Sequence, residues 1–143
     1  MDINIREFSE SDLDEVRDII HQNFKNPWSD RMILSANPFS YKTVAVLNNT
    51  IVGFLSGEII YDEAHILMIA VDKNFQGRGV GKKLLIDFID ECISSGVNSV
   101  FLEVSESNKK AVRFYSDFGF YVYGIREKYY TTGEDAFLMK LNL

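Results

Sequence analysis

One stretch, MIAVDKNFQGRGVGKKLLIDFI (residues 68–89), limits what this chain can fold into more than any other. An apolar run ends at Asp72, Gly77, Gly79 and Gly81 follow in alternate positions, and an amphipathic pattern then begins. Leu84, Leu85, Phe88, Ile89 and Cys92 recur at the spacing of one helix face. Strand, glycine-rich turn and helix in that order make an anion site. Glycine tolerates φ > 0 and close backbone approach, so successive N–H groups can converge. A helix N-terminus adds free donors and the positive end of a dipole. The ligand suited to such a turn carries phosphate. It is not held by a Walker loop, because the residue five before Gly81 is Gln76 and the residue after Lys82 is Lys83. The dinucleotide fingerprint fails as well, since the glycine spacing is Gly-x-Gly-x-Gly and no acidic ribose-binding residue follows on a second strand.

Around this unit the sequence alternates between strand and helix patterns. INIREF (3–8) alternates apolar and polar residues as a half-buried strand does. Ser9 or Ser11 caps a helix carrying Leu13, Val16, Ile19, Ile20 and Phe24 on one face. After Pro27-Trp28, Ser29 caps a short second helix. YKTVAVL and IVGFLSGEII form a hairpin across the NNT turn, with Gly53 and Gly57 read as bulge markers in its second strand. AHILMIAV, apolar on both faces, suits a central, doubly covered strand, and SVFLEV another buried one. NKKAVRFYSDFG is a helix capped by Ser107 or Asn108 and stopped by Gly119. FYVYGIREKYY and DAFLMKL close the chain as a hairpin around TTGE. The expected order is βα(α)βββαβαββ. That is an α/β (α+β) domain over 1–143, with a mixed sheet of about six to seven strands and about four helices on both faces.

Composition removes several function classes. The chain has 143 residues and a net charge of −6, with no clustered basic surface beyond Lys82-Lys83 and Lys109-Lys110, so no nucleic-acid partner is expected. One cysteine, Cys92, excludes an intramolecular disulfide, and with two histidines a zinc site of the usual type is not expected. The N-terminus MDINIREFSESD lacks the basic-then-apolar pattern of a signal peptide, and no apolar run approaches the roughly 18 residues of a membrane span. The expectation is a cytoplasmic protein with no membrane partner.

Gln76-Gly77-Arg78-Gly79-Val80-Gly81, directly after the strand ILMIAVD, matches the pattern Gln/Arg-x-x-Gly-x-Gly/Ala. It resembles the acetyl-CoA pyrophosphate loop of the GCN5-related N-acetyltransferases (the GNAT superfamily). The block LEVSESNKKAVRFYSDFGF looks like the second half of the acetyl-CoA site in the same family, so the resemblance covers nearly the whole chain. NPWS, EKYYTT and EDAFLMKL resemble the RimI-type branch, which acetylates protein N-termini, those of ribosomal proteins in particular.

The resemblance implies roles residue by residue. The backbone of Met68, Ile69, Ala70 and Val71 would hold the acetyl-pantetheine arm in a gap between diverging strands. The amides of Gln76, Gly77, Arg78, Gly79, Val80 and Gly81 would hold the pyrophosphate, with Arg78 and Lys82 adding charge-assisted contacts. Asn108 matches a position that contacts the CoA arm. Tyr115 matches the tyrosine near the CoA sulfur, a proton donor to the departing thiolate. Glu103 matches a proposed general base, and a carboxylate inside an apolar strand is costly unless paired. His65 is the alternative base and, if its strand lies beside that of Glu103, the two can share a water. Tyr129 and Tyr130 match tyrosines that flank the substrate's first residues. Trp28 is read as packing beside the loop that walls the peptide groove.

The function implied is acetyl transfer from acetyl-CoA directly to the α-amine of a protein or peptide N-terminus, without a metal. The rivals are an acetyltransferase acting on a small amine, polyamine or protein lysine, and a non-catalytic regulatory module that binds acetyl-CoA. Oligomeric state and partner subunits are left open by the sequence.

Overall fold

The computed structural model describes residues 2–128 and 133–143. Strand β1 (Asn4–Glu7) leads through a 3-10 turn into helix α1 (Leu13–Asn23). Ser9 starts that turn: its N–H donates to the Asp12 carboxylate at 2.9 Å. Asp12 is buried and also receives both guanidinium nitrogens of Arg6, at 2.8 and 2.9 Å. That bidentate pair holds the Asp12 carboxyl below the usual carboxylate range. Helix α2 (Asp30–Leu34) follows, capped by Ser29, whose hydroxyl accepts from the Met32 N–H.

Strands β2 (Ser40–Leu47), β3 (Thr50–Ile60) and β4 (Glu63–Val71) then form an antiparallel meander. Helix α3 (Val80–Ser94), strand β5 (Ser99–Ser105), helix α4 (Lys109–Phe118) and strands β6 (Tyr121–Arg126) and β7 (Ala136–Asn142) complete the chain. The sheet order is β1-β2-β3-β4-β5-β7-β6, with one parallel pairing, β4 on β5. Seven strands and four α-helices on both faces agree with the expected architecture. The penultimate strand is shorter than its pattern suggested. It stops at Arg126, and Lys128 takes a positive φ of 48° that a strand cannot continue through.

Two cores lie on the two faces of the sheet. Helices α3 and α4 cover one, around Leu84, Leu85, Phe88, Val100, Leu102 and Met139. Helices α1 and α2 cover the other, around Val16, Ile19, Ile20, Ile33 and Phe54, with Trp28 packed at its edge. Gly53 and Gly57 have a packing reason beyond the bulges near them. A Cβ on Gly57 would sit 2.6 Å from Phe88 Cε1, and one on Gly53 would sit 2.9 Å from both Val80 and Leu84. The glycines let α3 lie directly on β3.

A bulge at Leu67 sets the faces of β4. Ser56 pairs with Met68 and Gly57 with Ile66, so Leu67 has no partner on β3. Before it, Ala64 and Ile66 enter the α3 core; after it, Met68 and Ala70 enter the α1 core, and Ile69 and Val71 turn toward α3. One extra residue therefore exchanges the two faces along a single strand.

Candidate functional site

Strand β4 pairs with β5 only from Glu63↔Ser99 to Ile66↔Leu102. Beyond those four pairs the strands part: Met68–Val71 keep β3 alone, and Glu103–Ser105 keep β7 alone. At the open end lies a cavity of about 930 Å³. Its walls are Ile69 and Val71 of β4, the turn from Phe75 to Lys82, Asn23 and Phe24 at the end of α1, and Asn108, Lys110, Ala111, Phe114 and Tyr115 leading into and along α4.

The turn is built to leave donors unused. Gly77 and Gly79 hold φ of 77° and 83°, the left-handed region that only glycine enters freely. Gly79 is the N-cap of α3, so no side chain caps that helix, and its first turn carries no acidic residue. The first N–H groups of α3 and the positive end of its dipole therefore face the cavity without a competing carboxylate from their own helix. Lys82, in the same turn, adds a cation to the wall. Arg78 does not line the cavity; its guanidinium lies 5.4 Å from the centre of the Phe75 ring.

Amide side chains brace the turn. Asn23 Nδ2 donates to the Val71 carbonyl at 3.0 Å, and Gln22 Oε1 accepts from the Lys73 N–H at 2.9 Å. Gln76 Nε2 donates to Asn23 Oδ1 at 3.0 Å and to the Val71 carbonyl at 3.1 Å. Lys110 Nζ closes the network by donating to Gln76 Oε1 at 2.8 Å. Asn108 caps α4, its Oδ1 accepting from the Ala111 N–H at 3.2 Å. Tyr115 is buried against Phe114 and Phe120 while reaching the cavity wall. Burial raises its phenol above the ordinary tyrosine value, so it is protonated throughout the neutral range.

Glu103 and His65 lie elsewhere, on the open face of the sheet. Val100, Leu102 and Val104 enter the α3 core, so the alternating Phe101 and Glu103 face the other side. Helices α1 and α2 pack over the first strands and leave this part uncovered. Glu103 is consequently exposed, not buried as its apolar strand suggested, and its carboxylate pairs with Arg126 Nη2 at 3.2 Å. Strands β4 and β5 are neighbours, as sharing a water requires, yet the register sets His65 opposite Phe101, two residues before Glu103. His65 stacks on Phe101 at 5.5 Å between ring centres, and its Nε2 lies 3.6 Å from Glu63. Tyr123 meets the same Phe101 ring edge-on at 5.9 Å, and Lys140 Nζ lies 5.4 Å from its centre.

Residues 2–120 match the acetyltransferase (GNAT) family. The chain belongs to that family. It is 37% identical over 139 residues to an uncharacterized N-acetyltransferase of Methanocaldococcus jannaschii, covering 94% of this chain and 88% of the relative. It is 34% identical to the [ribosomal protein bS18]-alanine N-acetyltransferase of Salmonella typhimurium, covering 93% of each. The crystal structure of the ribosomal-protein-S18-alanine N-acetyltransferase from Escherichia coli superposes with a TM-score of 0.91 at 32% identity, over 99% of this chain and 94% of that one.

Within this acetyltransferase, the positions expected to hold the donor divide into three sets. Ile69, Val71, Gln76, Gly77, Gly79, Val80, Gly81, Lys82, Asn108 and Tyr115 all line the one cavity. The side chains of Met68 and Ala70 point into the α1 core, so only their backbone is available to a ligand. Arg78 stands outside. Tyr129 and Tyr130 lie outside the described residues. Asn23, Phe75 and Lys110 belong to the wall without having been anticipated; Phe75 and Lys110 adjoin expected positions, and Asn23 is brought there by packing between segments distant in sequence. Among the described residues no group of His, Cys, Asp and Glu is arranged to hold a metal, and no helix is long and apolar enough to cross a membrane.

Proposed function

We propose that this acetyltransferase moves the acetyl group of acetyl-CoA to the α-amine of a protein N-terminus. The observation that carries the donor reading is the parting of β4 and β5 beside an uncapped helix N-terminus. A strand edge without a partner offers its amide hydrogen bonds to the pantetheine arm. The amides of Gln76 to Gly81 and the Lys82 ammonium suit the diphosphate. Acetyl-CoA supplies an activated thioester, and the chain's own residues do the rest. A backbone N–H of β4 near Met68 to Val71 stabilises the oxyanion. Tyr115, held protonated by burial, donates its proton to the departing thiolate. Glu103 accepts the proton of the attacking amine through water, with His65 as the other candidate.

The acceptor reading is supported by the ribosomal-protein N-acetyltransferases that this chain resembles and by energetics. An α-amine has a pKa near 8, so freeing its lone pair at pH 7 costs about 1.4 kcal/mol. A lysine amine costs nearer 4.6 kcal/mol. A solvated carboxylate acting through water suffices for the first demand, which is smaller than the second by about 3.2 kcal/mol. Tyr129, Tyr130 and the loop anchored by Trp28 are proposed to flank the acceptor's first residues.

The test is acetyl transfer to short peptides that differ only in residue one, each with a free or blocked α-amine and an internal lysine. Product on the free α-amine alone is the expected outcome. Product on the lysine, or on polyamines alone, would keep the donor site and overturn the acceptor. Tight CoA binding with no product from any acceptor would instead favour a regulatory module.

A further inference from the structure

A second cavity, of about 340 Å³, lies between the β1–β2 edge of the sheet and α3, and shares no lining residue with the donor cavity. Alternation along β2 decides which side chains face it. Val44 enters the α1 core, so Tyr41, Thr43 and Ala45 point toward α3. Tyr41 is fixed there: its ring lies 5.7 Å from that of Phe88, and its hydroxyl donates to Asp87 Oδ2 at 2.9 Å. Thr43 lines the same cavity and is 4% exposed, yet its hydroxyl has no hydrogen-bond partner among the described residues. A buried hydroxyl left unpaired is costly, and a donor arriving in the cavity would relieve it.

The wall is also anionic without a counter-ion. Among the described residues neither Asp87 nor Glu7, which the register sets beside Thr43, has a cationic partner. The two cations of these strands are engaged on the opposite face. Arg6 holds Asp12 at 2.8 Å, and Lys42 Nζ donates to the carbonyls of Ile33, at 2.7 Å, and of Ser35. No set of His, Cys, Asp and Glu is arranged here for a metal among the described residues. The second Asp87 oxygen, the phenol oxygen and the Thr43 hydroxyl are acceptors for three protons, the number an ammonium carries. Ile5 offers an apolar wall to an alkyl stem.

We propose that this cavity binds a primary alkylammonium ion, its nitrogen seated on Asp87, Tyr41 and Thr43. The test is an NMR titration of the whole chain with n-butylamine, for a free amine, and with Nα-acetyl-lysine-N′-methylamide, for a protein side chain. The tighter of the two names the source. The variants are D87N, T43V and D90N; Asp90, on the same helix outside the cavity, controls for charge alone. Binding should shift the amides of Tyr41, Thr43 and Asp87. D87N should lose about tenfold affinity and T43V about threefold, with D90N within twofold. T43V removes an unpaired hydroxyl, so its denaturant midpoint should not fall below wild type. n-Butyltrimethylammonium, with the same charge and no N–H, should not bind. Equal losses in D87N and D90N, no loss in T43V, or equal binding of the trimethyl analogue would each overturn the proposal. Shifts confined to His65 and Glu103 would place the amine at the acceptor site instead and overturn it too.

Discussion

Glu103 and Arg126 meet at 3.2 Å on a part of the sheet that no helix covers. Water can therefore reach the carboxylate, which a base acting through water requires. Glu103→Gln keeps the shape and removes the basicity. Its turnover should fall by about 10² at neutral pH, with CoA affinity unchanged in a binding measurement. An unaltered pH–rate profile would move the role to His65, which the register sets two residues away, beside Phe101. The residues of the glycine turn were legible in the sequence because their chemistry is local: positive φ, close spacing and a helix start all fall within one short segment. Asn108 was legible as one of two candidate helix caps, and its place at the donor site only through the family resemblance. Lys110 was visible only as half of a basic pair. Asn23 was one polar residue at the end of a helix, and its bond to Val71 joins positions 48 apart in sequence. The exposure of Glu103 depends on which face α1 and α2 leave open, and the apolar neighbours of Glu103 carry no record of that.

Among the elements, β3 and α3 are fitted most closely. The helix presents Val80, Leu84 and Phe88 along one stripe, and β3 answers with Gly53 and Gly57. Gly57→Ala would bring a Cβ to 2.6 Å from Phe88 Cε1 and 2.9 Å from the His65 carbonyl oxygen. The ring can tilt and the β4 backbone cannot easily withdraw. A loss of about 1–3 kcal/mol in denaturant unfolding is expected. A stability equal to wild type would show that α3 rides more loosely on the sheet than this packing implies. Its β-branched residues and the NNT turn before it were enough to place β3 as a strand, and the glycines were read as bulge markers. Bulges do interrupt the meander, one of them at Leu67, but the closer constraint on these glycines is the helix above them. A helix lying on a strand is a tertiary fact, and period-two patterning is silent about it.

For the molecule as a whole, the architecture followed from the order of strand and helix patterns, while the parting of β4 from β5 was expected only through the family resemblance. The meander β1–β4 and the unit β5–β7–β6 share one core, yet their backbones are joined through four residue pairs of one parallel ladder. A ligand lying in the parted region touches both sides. Hydrogen exchange with and without CoA should show new protection on Met68–Val71 and on Glu103–Ser105 together. Protection confined to Gln76–Gly81 would mean that the pantetheine arm runs elsewhere. Since only the folded chain binds, CoA at a hundred times its dissociation constant should add about 2.7 kcal/mol to the stability.

That seam also bears on how long the protein lasts. A donor lying in that seam would hold its two sides together, so a scarcer donor would leave more opened chain for a protease to cut. The concentration of acetyl-CoA would then govern the number of surviving enzyme molecules as well as the speed of each.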